Sequence, residues 1–218
     1  MNRKLIFDAA KAAGADFNQP GAVDRMDAAI NQALTEALGL PTLVAASVAL
    51  PPRVGLTGHQ ASDAAVELLH SFEQCRLTTY PDPGSKNGLP ITGGWGTTRD
   101  HNGKPFKLGF TADQAYWDRL FIRDLAEVEA GVNRLLGNAP TTQNQFDALV
   151  CIAYNIGLDE DEDTKAEGLG DSTLLRLHLQ GNFAGAADAF KSWRFNDGKE
   201  MKGLVARRNA EAKLYRGG

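Results

Sequence analysis

Cysteine is scarce in this chain. Two thiols, Cys75 and Cys151, stand in 218 residues, too few for a disulfide framework, and both have apolar settings that favour buried free thiols. The four histidines, His59, His70, His101 and His178, are scattered, so neither metal-ligand spacing nor a local Ser/His/Asp or Cys/His nucleophile can be assembled. No metal and no cofactor are expected, and amidase or peptidase chemistry is disfavoured. Long hydrophobic runs are missing too. Leu38 to Leu50 is the most apolar stretch, but it contains Pro41 and is too short to span a bilayer, so no stable membrane insertion is expected. A secretory signal is not evident, because Asp8 and Lys11 interrupt the apolar residues after Arg3 and Lys4. The expectation is a chain made soluble in the cytoplasm. Nor is there an excess of positive charge. A formal net charge of −4 gives no reason to expect a nucleic-acid partner.

What is present suffices for one sizeable core. Hydrophobic residues make up 43% and charged residues 23%, ordinary values for a soluble globular protein. Residues 1–40 read as two short helices, one with Ile6, Ala9 and Ala10 on a face, the other with Met26, Ile30, Ala33 and Leu34. Pro41, Pro51, Pro52, Gly55 and Gly58 then suggest a linker. Residues 1–60 are therefore expected to be a small helical appendage and linker, either a wall-binding module or a packing element. Residues 61–218 are the main domain. Its charge is uneven: residues 172–218 carry nine Lys/Arg against four Asp/Glu, while 61–171 carry nine against eighteen. A basic end suits an acidic polymer, and a solvated basic face is the plain alternative.

The informative stretch runs from Ser62 to Thr98. Val66, Leu69 and Phe72 repeat at helical spacing behind Ser62 as N-cap. After Glu73 the period changes to two through Leu77, Thr79 and Pro81, and Pro83-Gly84 and Lys86-Asn87-Gly88 supply turn chemistry. Glu73 thus falls at a helix's C-terminal end, and Asp82 where a small hairpin turns. A carboxyl at that end of a helix dipole favours its protonated form, which suits a general acid. Two carboxyls flanking a cleft are what glycoside hydrolysis needs: one protonates the leaving oxygen, the other handles a water or the sugar cation.

Further on, Thr111 with Gln114 reads as a capping box opening a long helix from about Ala112 to Leu136. Thr141 or Thr142 opens a second, from Gln143 to Asn155, apolar over much of its circumference and ended by Gly157. Asp159 to Asp163 are five acids in a row without the spacing of a calcium loop, and read as a solvated loop.

The run Glu73-x-x-Arg76-Leu77-x-x-Tyr80-x-Asp82 with Thr92-x-Gly94-Trp95-Gly96-x-Thr98 resembles the active-site hairpin of phage-type lysozymes, glycoside hydrolase family 24. Gln145-Phe146-Asp147-Ala148-Leu149 with Asn155-Ile156-Gly157, and Gly203-Leu204-Val205 with Arg207-Arg208 and Glu211, resemble later blocks of the same family. The resemblance covers roughly Ser62 to Gly218. It implies an α+β, lysozyme-like fold, mostly helical, with a small antiparallel sheet lobe and a long interlobe helix. It also implies an endolysin that hydrolyses the β-1,4 bond between N-acetylmuramic acid and N-acetylglucosamine in peptidoglycan, with inversion. Glu73 would be the general acid, Asp82 the carboxylate that orients water, and Thr92 the water-holding hydroxyl. Nine residues separate Asp82 from Thr92, a longer tip than the family usually has, and Thr97 is the alternative.

Tyr80 and Trp95 could stack on sugars or fill the small lobe. Asn155 could line the cleft or end its helix. Arg207 and Arg208 could meet peptide carboxylates or pair with Glu211 along their helix. The resemblance further implies a monomer, made in the host cytoplasm, that reaches the periplasmic or extracellular wall through a holin-type pore. Two rivals remain: a lytic transglycosylase, which needs the acid but no water-positioning Asp, and a non-catalytic peptidoglycan-binding or tail-associated protein on a lysozyme scaffold.

Overall fold

The structure, a computed structural model, describes residues 58–82, 87–160 and 167–217. All lie in the unit Leu56–Gly218. The two helices expected before residue 40, most of the linker and the middle of the acidic run lie outside the described residues.

Helix α1 (Asp63–Phe72) begins where the spacing placed it, but Ser62 caps it differently. Its carbonyl accepts the Ala65 and Val66 N–H groups, while its hydroxyl and its N–H both turn to the Asp147 carboxylate. Ala65 and Leu69 are the buried side of the helix. The helix ends because Glu73 is extended (φ −95°, ψ 119°), with its N–H closing the last turn on Leu69 O at 2.9 Å.

Strands β1 (Arg76–Pro81) and β2 (Ile91–Gly94) form the antiparallel hairpin, with Tyr80 opposite Thr92 and Pro81 opposite Ile91. A register irregularity falls between Arg76 and Tyr80. Of the alternating set, Thr79 is buried, while Leu77 stays 44% exposed. Below the hairpin lies a small cluster of Phe106, Trp117 and Leu120. The sheet sits so close to Trp117 that a Cβ at Gly93 would fall 2.5 Å from its ring, and one at Gly94 2.6 Å. Only glycine lets the backbone approach so near.

Helix α2 (Gln114–Leu136) has 23 residues, about 34 Å of rod. It opens on Asp113, whose carboxylate accepts the Tyr116 N–H, and not on Thr111 as the capping-box pattern suggested. Thr111 bridges Thr78 of β1, hydroxyl to hydroxyl at 2.9 Å, and so is held as an extended partner of the sheet. Trp117 and Leu120 of α2 serve the small cluster; Phe121, Leu125, Val132 and Leu136 serve the main core. One helix therefore joins both lobes.

Helix α3 (Gln143–Ile156) is the centre of the main core, buried continuously from Gln145 to Ala153. Thr142 and Gln145 form its capping box, and Gly157 ends it at φ 91°. Helices α4 (Thr173–Leu179) and α5 (Phe183–Ala189) follow, capped by Ser172 and Asn182. A 3-10 turn (Phe190–Trp193) leads to a hairpin of two-residue strands, β3 (Phe195–Asn196) and β4 (Lys199–Glu200). Helix α6 (Lys202–Arg216) closes the lobe and packs along α3. This is the α+β architecture read from the sequence.

Candidate active site

Glu73 leaves α1 as the chain turns into the hairpin. Its side chain is 24% exposed, and Oε1 accepts a hydrogen bond from Arg207 Nη1 at 2.6 Å. Its other carboxyl oxygen faces Gly96, where an added Cβ would lie 3.7 Å away. Gly96 has φ 99°, a left-handed conformation that keeps this side open.

Asp82 is half-buried just past β1, its N–H bonded to Gly88 O at 3.1 Å across the tip. Tyr80 stands between the two acids in electrostatic terms. Burial pushes its phenol up; the Arg76 cation, 4.4 Å over its ring, pulls it down; the charges of Glu73 and Asp82 push it up again. Thr92 lies across from Tyr80 on β2, 9% exposed, its hydroxyl donating to Pro90 O at 3.2 Å. Thr97 is more tightly engaged. Its hydroxyl accepts from Arg123 Nη2 at 3.3 Å and donates to Arg99 O at 3.5 Å.

Arg123 carries a role the sequence reading missed. Its guanidinium binds the Asp100 and Arg99 carbonyls as well as Thr97, and so ties α2 to the loop after β2. That loop is itself a turn, closed by Asp100 Oδ1 accepting the Asn102 and Lys104 N–H groups. Those bonds hold the Asp100 carboxyl below its ordinary range.

Trp95 is half-buried and held by three contacts. Its ring stacks on His70 at 3.9 Å between centroids, its Nε1–H donates to Asp118 at 2.8 Å, and its carbonyl accepts the Tyr154 hydroxyl at 3.2 Å. His70, one turn before Glu73, and Asp118 on α2 were not singled out from the sequence, though His70 stands at i−3 from Glu73 on the same helix. Cys75 and Cys151 are free thiols, but only Cys151 is buried as expected, whereas Cys75 is half-buried. Burial pushes both upward, and Cys75 sits by Gln114 and Asp118.

On α6 the two arginines face inward. Arg207 bonds Glu73 and, through Nε at 3.1 Å, Glu211; its guanidinium also lies 5.8 Å from the Phe72 ring centroid. Arg208, 1% exposed, donates to Glu211 at 2.8 Å and to Asn155 Oδ1 at 3.0 Å. Pairing within the fold thus accounts for Arg208. Asn155, exposed in the last turn of α3, is the outer end of this chain of bonds. Among the described residues, no group of three or more His, Cys, Asp or Glu is disposed to hold a metal ion.

The arrangement is a carboxyl at a helix end beside a buried cation, facing a glycine, with a second carboxyl and a hydroxyl on the adjoining hairpin. Residues 70–211 match the family described as phage lysozyme. The endolysin of Salmonella phage P22 is 33% identical over 72% of this chain and 97% of its own length. Endolysins of Bacillus phages B103 and PZA are each 35% identical, but the matched stretch spans only 53% and 56% of their lengths. Among solved structures, an endolysin from Escherichia coli O157:H7 phage FAHEc1 is 35% identical, with a TM-score of 0.60 over 72% of this chain and 93% of that one. The muramidase domain of SpmX from Asticaccaulis excentricus is 31% identical, with a TM-score of 0.58 over 72% and 97%. The chain belongs to the phage lysozyme family.

Proposed function

We propose that the chain is a muramidase that hydrolyses the β-1,4 bond between N-acetylmuramic acid and N-acetylglucosamine in peptidoglycan. The carrying observation is Glu73 at the end of α1, opening on Gly96, with Asp82 on the hairpin that follows. Glu73 donates its proton to the glycosidic oxygen as the bond to the sugar breaks. Asp82 stays ionised, stabilises the oxocarbenium charge and orients the water that attacks from the opposite face. Thr92 holds that water by its hydroxyl. Thr92 is preferred to Thr97 because the Thr97 hydroxyl is occupied by Arg123 and the Arg99 carbonyl. Tyr80 lines the cleft between the acids; Trp95, packed on His70, shapes its wall.

The relatives are named endolysins, and one structural neighbour is named a muramidase domain, which supports the substrate class. Peptidoglycan is the partner in this reading, reached after release from the host cytoplasm. A holin-type pore is one route, while relatives named SAR-endolysins offer secretion as another. Among the described residues no helix is long and apolar enough to cross a membrane. Residues 1–60 are proposed as an appendage and linker to the catalytic domain 61–218, serving either as a wall-binding module or as a packing element without activity.

The test is digestion of purified peptidoglycan by wild type and Glu73→Gln, with mass spectrometry of the fragments. The reading expects reducing-end muropeptides from wild type and a loss of at least about 10²-fold in Glu73→Gln, as for removal of a general acid. NMR of the first product should show the α-anomer. Anhydro-muropeptides would replace hydrolysis with transglycosylation. Wall binding without fragments would leave a non-catalytic scaffold.

A further inference from the structure

One cation on the main hairpin is not taken up by the fold. Arg76 opens β1 as an exposed residue. Across the sheet it pairs with Gly94, two residues before the Gly96 that faces Glu73. Its guanidinium reaches along the strand and lies 4.4 Å over the centroid of Tyr80, the residue opposite Thr92. Among the described residues it donates to no carboxylate, whereas Arg123, Arg134, Arg194, Arg207 and Arg216 each hold one. Glu73 and Asp82 stand close enough that both charges, with that of Arg76, act on the Tyr80 phenol. Stacking engages the flat face of a guanidinium and leaves the N–H donors along its edge available.

The proposed substrate supplies the complement. Muramic acid units of peptidoglycan carry peptide stems, and those stems have free carboxylates. We propose that Arg76 is a substrate-binding residue that takes a stem carboxylate in its guanidinium fork, with the Tyr80 ring as the platform beneath it. The inference rests on the muramidase reading and names the part of the substrate that this edge of the cleft recognises. A planar fork meets a carboxylate with two parallel hydrogen bonds, which a lysine does not match.

Charge makes a cation necessary at this place. Residues 61–171 carry nine Lys/Arg against eighteen Asp/Glu, so an anionic stem laid across the hairpin otherwise meets a field of its own sign. Packing gives the side chain no other use. The core beneath the hairpin is filled without it, by Phe106, Trp117 and Leu120. A role confined to balancing Glu73 and Asp82 is the rival account. Such a role acts alike on every substrate, whether its stems are charged or neutral, and that difference separates the two.

The experiment measures kcat and KM of wild type and Arg76→Gln on two soluble peptidoglycan preparations. One is native; in the other the stem carboxylates have been converted to amides with a carbodiimide and ammonia. Circular dichroism establishes folding, and mass spectrometry identifies the products. Wild type should lose about tenfold in kcat/KM on the amidated strands, chiefly through KM, the scale of one charge-assisted hydrogen bond at an exposed site. Arg76→Gln should lose the same factor on native strands and differ by less than about twofold between the two preparations. Parallel losses, with amidation slowing the variant as much as wild type, overturn the proposal. So does a wild-type rate of Arg76→Gln on native strands. Should the variant fail to fold, wild type alone decides: the tenfold loss on amidation upholds the proposal, and equal kcat/KM on both preparations overturns it. A wild type that releases no muropeptides from either preparation removes the muramidase reading beneath. An active wild type with parallel losses removes only the role of Arg76.

Discussion

At the scale of single residues, the two threonines separate most cleanly. Thr92 keeps its hydroxyl on one carbonyl of its own loop, whereas Thr97 is tied to Arg123 and Arg99. Thr92→Val should lower turnover by about 10²-fold, the scale of a lost water-positioning or proton-transfer contact, with little change in melting temperature. Thr97→Val should instead cost about 1.5 kcal/mol of stability, one hydrogen bond to a charged donor, while turnover stays near wild type. Steady-state turnover and thermal melts of both variants check this, and the reverse result would transfer the water-holding role to Thr97. The places of Glu73 and Asp82 in the fold were legible in the sequence because both sit at changes of period, a helix end and a turn. The partner of Glu73 was not. Arg207 lies 134 residues away, and its helical spacing to Glu211 pointed only along its own helix.

Among the elements, helix ends were read correctly where the cap was free to cap. Thr142 and Gln145 satisfy each other as the pattern requires, while Thr111 could not serve because the sheet already held it extended against Thr78. The β3–β4 hairpin was illegible because strands of two residues have no period. Its only trace is Asp197-Gly198, both at positive φ, as a tight hairpin turn demands. The main hairpin depends on a close approach that can be tested directly. Gly93→Ala would set a methyl 2.5 Å from the Trp117 ring, and Trp117 is fully buried. Overpacking of this kind should destabilise by about 1–3 kcal/mol, measured by denaturant unfolding, with activity falling alongside because Thr92 of the proposed site is the preceding residue.

For the whole molecule, two buried groups bias stability in opposite directions with pH. The Glu211 carboxyl is raised from 4.5 to about 7, so the folded state holds this proton more tightly than the unfolded chain. Its contribution is fully present below about pH 4.5 and is lost as pH rises through about 7, a change of about 3 kcal/mol. His178, bonded between Thr141 and Tyr215, is depressed by burial below 6.5; its contribution is present above that value and lost as pH falls. Denaturant unfolding from pH 4.5 to 8 should show stability falling more steeply in wild type than in Glu211→Gln, whatever the offset between the two curves. A parallel pair of curves would assign the slope to other groups.

The rod that joins the lobes has one more consequence. Glu73 hangs from α1, anchored by Leu69 in the main core, while Asp82 and Thr92 ride on a hairpin seated on Trp117. The two halves of the proposed chemistry are thus mounted on two packing clusters, with α2 as the common beam and Arg123 as a brace to the loop beyond β2. In the proposed reaction the gap between the acids is a mechanical setting, held by that beam together with Trp95, which follows β2 and stacks on His70 of α1. In the proposed muramidase that setting works as a caliper whose jaws are sheet and helix, and whose spine is α2.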